Sequence, residues 1–535
     1  MLKSLFPFYA TCSFYTGFAP SFPVSLWMMM KYGAIAGGEK STVQTAFEIL
    51  KNGGNAFDAA VGAVFTSMVS EFNLTGPGGG GAFLAGPVNS DPILYDFFVD
   101  TPPSQPGKEL DFFSILVDFG PSKQEFHIGQ GSVAIPGNTA GLLTVHNRLG
   151  QLPLKAVLEP AMEAARSGVI LNEAQAYLVK ILEPLLTHSK AGCDLFKPKG
   201  HLLNQGDRFQ NPAFADLLEM LAAEGAGYFY EGEGAGLILK TIGQKGLMTR
   251  ECLAQYRVIE RQPLKSKFGG KTIYTNPAPS IGGTLITFAL QLIEQSKSDE
   301  KPDLIKLLKV MEITSAARRE TCHDIQNEQQ IPQVLEPETL NHYLDLLNTD
   351  STHIQNENDP PSRGATTHVS ILDKQGNAAS VTTTNGEGCG YMIQELGIML
   401  NNMLGEEDLN PMGFHLWPRQ QRLPTMMAPT IVTGQNGVEL VLGSGGSNRL
   451  RSAILQVIMN FFSKKMDLES AVYAARIHLE GKILHVEPGK QMEALPDDIQ
   501  LHPWEDRNLF FGGVNAVTPT DAVGDPRRGG TGMIF

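Results

Sequence analysis

Two runs of β-forming residues, TTHVSIL (366–372) and AASVTTT (378–384), flank the polar stretch Asp373, Lys374, Gln375, Gly376, Asn377, and this spacing predicts a β-hairpin. A three-residue loop over 374–376 puts glycine at the left-handed position that such a loop favours. Setting Asp373 against Asn377 fixes the register, so that Thr366 faces Thr384. Upstream, residues 34–36 read as a short strand, and Ser41 or Thr42 is expected to cap a helix that ends at Gly53. Asn55 caps a second helix, which is apolar on nearly every side and therefore buried. The glycine run 78–81 precedes a strand-like AFLAG and predicts either close backbone approach or several positive φ angles. Helical periodicity marks 140–148 and Leu154–Ser167, and a mostly helical middle continues to about Ile259. Residues 268–294 read as a strand, a Pro/Ser/Gly turn (277–283) suited to a pocket wall, and an apolar helix. Near the C-terminal end, a buried strand over 438–442 enters a helix near Arg449 through GSGGSN. The polar tract 326–365, with a helical patch at 340–347, is the one linker-like segment. Strands and helices are both expected, and α/β architectures often run long as one unit.

Composition narrows the picture. A chain of 535 residues, 42% apolar and 18% charged, builds a sizeable core as one large domain or two. A net charge of −14 argues against a nucleic-acid partner or an anionic membrane surface. The five cysteines (Cys12, Cys193, Cys252, Cys322, Cys389) lack C-x-x-C or metal-ligand spacing, so free thiols are expected and no metal or cofactor. Residues 1–31 are apolar but broken by Pro7, Pro20 and Pro23, too short a run to span a membrane. They read as an extension ahead of the true start or as a weak signal peptide. A cytoplasmic location is expected on the first reading and a periplasmic or secreted one on the second.

The candidate chemistry sits at the hairpin's open end. A threonine hydroxyl is a weak nucleophile that needs a base, and its own α-amine serves once the preceding peptide is broken. Such an amine titrates near ~8. A polar, Pro-containing tract followed by a strand-initiating threonine is the layout of a chain that cuts itself, here between Ala365 and Thr366. Thr384, opposite, can hold the amine or the hydroxyl, and Asn385 can add an amide donor or acceptor. Backbone N–H groups at the GSGGSN turn make a ready oxyanion site. A serine hydrolase is disfavoured because no G-x-S-x-G occurs, and the glycine run lacks the lysine of a phosphate cradle. Glu406, Glu407 and Asp408 either bind a substrate ammonium or form a solvated acidic loop.

ILKNGGNAFDAAV, GGGG, PGNTAGL, PAPSIGG, TTHVSILDKQGNAASVT, GIMLNN and GDPRRGG, in this order over residues 32–535, resemble the gamma-glutamyltranspeptidase family of N-terminal-nucleophile hydrolases. The resemblance implies a four-layer αββα sandwich made as a self-cleaving precursor. Residues 32–365 would form the large part and 366–535 the small part, interlocked as a heterodimer. It also implies an acyl-enzyme at Thr366 formed from a γ-glutamyl amide such as glutathione, with Thr384 contacting the nucleophile and Gly445 and Gly446 serving the oxyanion. Four departures bear on substrate. Phe98 stands where the family's D-F-R-E motif has the arginine for the substrate carboxylate, so Arg422 or Arg449 would have to replace it. Thr425 and Met426 stand for paired serines. The substrate-binding aspartate corresponds to Glu406 or, with a shift, Asp408. The asparagine two places beyond the second threonine is Gly386, with Asn385 adjacent. Three readings follow: a γ-glutamyl hydrolase or transferase, an N-terminal-threonine amidohydrolase for another acyl group, and an unprocessed binding or scaffold protein.

Overall fold

The structure, a computed structural model, describes residues 33–105, 107–118, 123–296, 304–321, 330–348, 365–417, 421–490 and 495–535. The hairpin forms as its pattern dictates. Strands Thr367–Leu372 and Ala378–Thr384 pair antiparallel, Thr367 opposite Thr383 and Leu372 opposite Ala378. Gly376 takes φ 94°. The Asp373 carboxylate accepts from the amides of Gln375 and Asn377, and also from the amide of Ala56 at 2.9 Å. Since Ala56 opens the fully buried helix Ala56–Ser70, one carboxylate both closes the turn and satisfies an orphan amide at a helix start.

The hairpin is the middle of a seven-stranded sheet that runs Thr531–Ile534, Ala34–Gly37, Thr367–Leu372, Ala378–Thr384, Gly80–Gly86, Ile93–Phe97, Ile259–Arg261. A six-stranded sheet runs Ala522–Val523, Gly513–Val517, Gly437–Gly445, Thr430–Gly434, Lys271–Thr275, Leu264–Phe268. The two stack face to face through the hairpin and the strand Gly437–Gly445. Alternation along each strand sorts the side chains. Ile35, Val369, Ile371 and Val381 pack under helices Lys40–Lys51 and Ala56–Ser70, whereas Ala34, Leu372 and Ala378 meet Val441 and Val517 between the sheets. Helices Ile281–Gln295 and Arg449–Ile458 cover the second sheet. With both faces buried, hairpin residues that are polar must find partners inside. Ser370 donates to the Asn515 carbonyl and Ser380 to the Leu442 carbonyl, each at 3.0 Å.

Several expectations change. The first helix, Lys40–Lys51, is capped by Glu39, whose carboxylate accepts from the Ser41 amide, and not by Ser41 or Thr42. Glycines 78–81 adopt no positive φ; close approach alone explains them. A Cβ on Gly79 would lie 2.0 Å from the Thr384 carbonyl oxygen. Helix Leu304–Thr321, which the apolar pattern did not announce, packs on Ile281–Gln295. The linker-like tract is partly core, since helix Pro337–Asn348 buries Leu340, Tyr343 and Leu347; residues 349–364 lie outside the described residues. So do residues 1–31, with Cys12, and Cys322; Cys193, Cys252 and Cys389 are free thiols. No helix among the described residues is long and apolar enough to cross a membrane.

Asp373→Ala removes the charged acceptor shared by turn and helix and leaves the Ala56 amide without a partner. The expected loss is about 2–4 kcal/mol, measured as a lower thermal unfolding midpoint than the parent chain.

Candidate active site

At the open end of the hairpin the two strands place Thr366 beside Thr384, both buried. The Thr384 hydroxyl donates to the carbonyl of Ala365 and accepts from the amide of Gly386 at 3.0 Å. The Ala365–Thr366 peptide group is therefore held by its own carbonyl oxygen. On the other side, the Thr366 carbonyl accepts from Arg528 Nη1 at 3.2 Å. A Cβ on Gly445 would lie 2.1 Å from that same carbonyl oxygen, so the strand can come this close only as glycine. Gly446 follows with φ 120°, in the left-handed region that glycine reaches without strain.

Thr366 and Thr384 share a pocket with Phe98, Glu406, Asp408, Thr425 and Met426. Phe98 is 2% exposed and packs with Ile281, Met426 and Met427. The turn at 277–283 backs this wall without lining it: the Ile281 amide and the Ser280 hydroxyl both reach the Thr425 carbonyl. Ser447 donates to Asp408 at 3.1 Å. Asn385 is not brought in. Its side chain faces a neighbouring pocket with Phe72 and Glu387, where its amide donates to the Met399 carbonyl. Glu407 is exposed.

Neither arginine proposed to replace the missing clamp does so. Arg422 is spent on Asp100 at 2.7 Å and Asp96 at 3.0 Å, its guanidinium lying over the Tyr256 ring. Arg449 donates to the Phe510 carbonyl and lies over the Phe510 ring. Among the described residues, no lysine or arginine lines the Thr366 pocket.

Glu387, Glu71 and Arg528 were not singled out as site residues in the sequence reading, and Glu406, which was, gains a charged neighbour from the fold. Glu387 is 6% exposed; burial and the neighbouring Asp408 charge push its carboxyl well above the usual range, while the Ala365 amide and Asn402 oppose that shift. Glu406 is raised by burial and by the charges of Glu387 and Asp408. Glu71 accepts from the Thr367 hydroxyl at 2.8 Å and is pushed up to about 7 by burial. Arg528 is pulled down to about 10 by burial. The one sequence hint for Glu387 was its two flanking glycines, which take φ 57° at Gly386 and 101° at Gly388. A Cβ on Gly386 would lie 2.4 Å from Glu406 Oε1, which accounts for the absence of a side chain there.

With this geometry in hand, comparison with known proteins is specific. A family model described as gamma-glutamyltranspeptidase matches residues 42–535. A glutathione hydrolase proenzyme from Pseudomonas aeruginosa is 29% identical, the match covering 94% of each chain. One from Escherichia coli is 29% identical over 84% of this chain and 81% of its own. Among solved structures, a cephalosporin acylase from Bacillus halodurans shares the fold with a TM-score of 0.79 at 21% identity, covering 98% of this chain and 99% of its own.

His368 gives the pH behaviour of the hairpin. Its ring nitrogens lie 2.8 Å from Thr382 Oγ1 and 2.9 Å from Ser370 Oγ, and burial pulls it down to about 3. Between that value and the unfolded value near ~6.5 the unfolded chain binds a proton that the folded chain does not. The associated stability is present above ~6.5 and is lost as pH falls toward 3. Thermal midpoints recorded from pH 7 to 4 should fall less steeply in His368→Gln than in the parent.

Proposed function

The chain belongs to the gamma-glutamyltranspeptidase family, and from that premise we propose that it is a self-processing amide hydrolase or acyl transferase whose nucleophile is Thr366. The observation that carries this reading is the Thr384 hydroxyl on the Ala365 carbonyl oxygen. When the Thr366 hydroxyl adds to that carbonyl carbon, negative charge develops on the oxygen to which Thr384 already donates. Such preorganised donation is a large term in acyl transfer. Collapse of the adduct breaks the C–N bond, which frees the Thr366 amine and leaves an ester on its hydroxyl; water then releases Ala365 as a carboxylate and regenerates the hydroxyl. That amine becomes the base for the hydroxyl in later turnovers. An incoming amide is attacked in the same way, with the backbone N–H groups of Gly445 and Gly446 as the oxyanion donors. Its amine leaves, and water or an acceptor amine takes the acyl group from Thr366.

Cleavage need not separate the parts. Strands Ala34–Gly37 and Gly80–Gly86, from the upstream part, flank the hairpin on both sides within one sheet. The helix–sheet–sheet–helix stacking supports the four-layer sandwich of N-terminal-nucleophile hydrolases and an interlocked heterodimer. The relatives named glutathione hydrolase proenzymes support a γ-glutamyl amide such as glutathione as the substrate class. A second reading, an acyl group other than γ-glutamyl, is favoured by Phe98 and by the commitment of Arg422 to Asp96 and Asp100.

Intact mass decides the nucleophile. The parent chain should yield two fragments, one beginning at Thr366, while Thr366→Ala remains one chain and Thr384→Val is cut about a hundredfold more slowly. A chain left uncut after prolonged incubation would return the assignment to a binding or scaffold protein. Restoring the clamp as Phe98→Arg should raise kcat/KM for a γ-glutamyl anilide by about tenfold, because a bidentate arginine–carboxylate pair is strong. An unchanged value would mean that another group already holds that carboxylate.

A further inference from the structure

We propose that Glu71 is a positioning residue for self-cleavage, acting through the hydroxyl of Thr367 on the strand that Thr366 leads into. This rests on the reading of Thr366 as nucleophile and deepens it, by naming what holds that strand from behind. Thr366 and Thr384 face the pocket; their neighbours Thr367 and Thr383 pair across the hairpin and, by alternation, point the other way. There the turn that ends helix Ala56–Ser70 holds both. Glu71 caps that helix and its carboxylate accepts from the Thr367 hydroxyl at 2.8 Å, while the Thr75 hydroxyl donates to that of Thr383 at 2.8 Å. Gly38 closes the third side: a Cβ there would lie 2.1 Å from Glu71 Oε1 and 2.9 Å from Thr367 Oγ1, so the pair fits only against glycine.

A carboxylate is a poor choice for stability at this place. Glu71 is 5% exposed and stands at the C-terminal end of its helix, where the macrodipole opposes negative charge. Burial, with Glu39 as a like charge, pushes its carboxyl up to about 7; the Thr367 and Thr42 hydroxyls and the Arg528 charge oppose that shift. The ionised form is the one that positions. It takes a charge-assisted hydrogen bond from Thr367 and attracts Arg528, whose guanidinium donates to the Thr366 carbonyl. Protonation weakens both holds on the Thr366–Thr367 segment, and a misplacement of about an ångström is costly in catalysis. Self-cleavage should therefore quicken as pH rises through about 7. The Thr366 amine cannot supply this dependence, because before cleavage it is still part of an amide.

Full-length chain made by cell-free synthesis, and passed at once into buffers from about pH 5.5 to 9, gives the cleavage rate on denaturing gels as a pH profile. The parent rate should rise about tenfold through the neutral range. In Glu71→Gln the rate should stay low and that inflection should vanish. Glu387 and Glu406 also titrate above the usual carboxyl range, so the quantity read is the difference between the two profiles. Thr367→Ser keeps the hydroxyl and should keep the parent profile, whereas Thr367→Val should reproduce Glu71→Gln; this pair decides should Glu71→Gln fail to fold. A parent rate that is flat through neutral pH, an inflection that survives in Glu71→Gln, or equal profiles in Thr367→Ser and Thr367→Val each overturns the inference, while a fragment beginning at Thr366 leaves the nucleophile standing. A chain that is never cut overturns the Thr366 reading and the inference together.

Discussion

The hydrogen bond from Thr384 to the Ala365 carbonyl depends on a crowding of backbones that only glycine permits. Gly79 lies against the Thr384 carbonyl and Gly445 against the Thr366 carbonyl, each too close for a Cβ. These contacts fix the two threonines through main chain, which has fewer ways to relax than side chains have. Arg528 completes the clamp on Thr366, and its own position is secured next door. Arg527, Glu487, Asp525 and Arg476 form a fully buried set of ion pairs, in which each charge meets an opposite one. Such a network adds little net stability but makes a shifted arrangement expensive. The closing GDPRRGG motif thus holds Thr366 from about 160 residues away in sequence, by fixing the strand end that faces it.

The layer between the sheets works by the same logic. His368, Ser370, Ser380 and Thr382 lie on the inner face of the hairpin, where a simple strand pattern would place apolar residues. Their hydrogen bonds run to one another and to the facing sheet. A slip of one residue would turn every one of them toward the helices and strand it without a partner. Register, and with it the alignment of Thr366 with Thr384, is specified by polar satisfaction as much as by burial.

What the sequence disclosed follows from how local each signal is. The hairpin, its Gly376 turn and the Asn55 cap are encoded within a few residues, and the strand alternation that pairs Thr366 with Thr384 needs only the loop length. The same alternation shows why Asn385 belongs elsewhere: it is one step past Thr384, and consecutive strand side chains face opposite ways. The Glu39 cap was hidden because two better capping residues, Ser41 and Thr42, follow it within three positions. Arg422 was illegible for a different reason. Its partners Asp96 and Asp100 lie more than 300 residues upstream, and nothing near Arg422 betrays them. Glu387 likewise gains its meaning only when the fold brings Glu406 and Asp408 beside it.

The fate of the arginines separates two layers of the site. Asp96, at the head of the D-F-F sequence, still holds cations, Arg261 at 2.8 Å and Arg422 at 3.0 Å, but both are turned to structural use on the strand and away from the nucleophile. With Phe98 buried in the wall, the ionisable side chains lining the pocket among the described residues are Glu406 and Asp408. The placement of Thr366, by contrast, rests on glycine backbones and buried polar pairs that a change of pocket side chains leaves untouched. A chain built this way can change its pocket by exchanging a few side chains, while the backbone that holds Thr366 against Thr384 stays fixed by the fold.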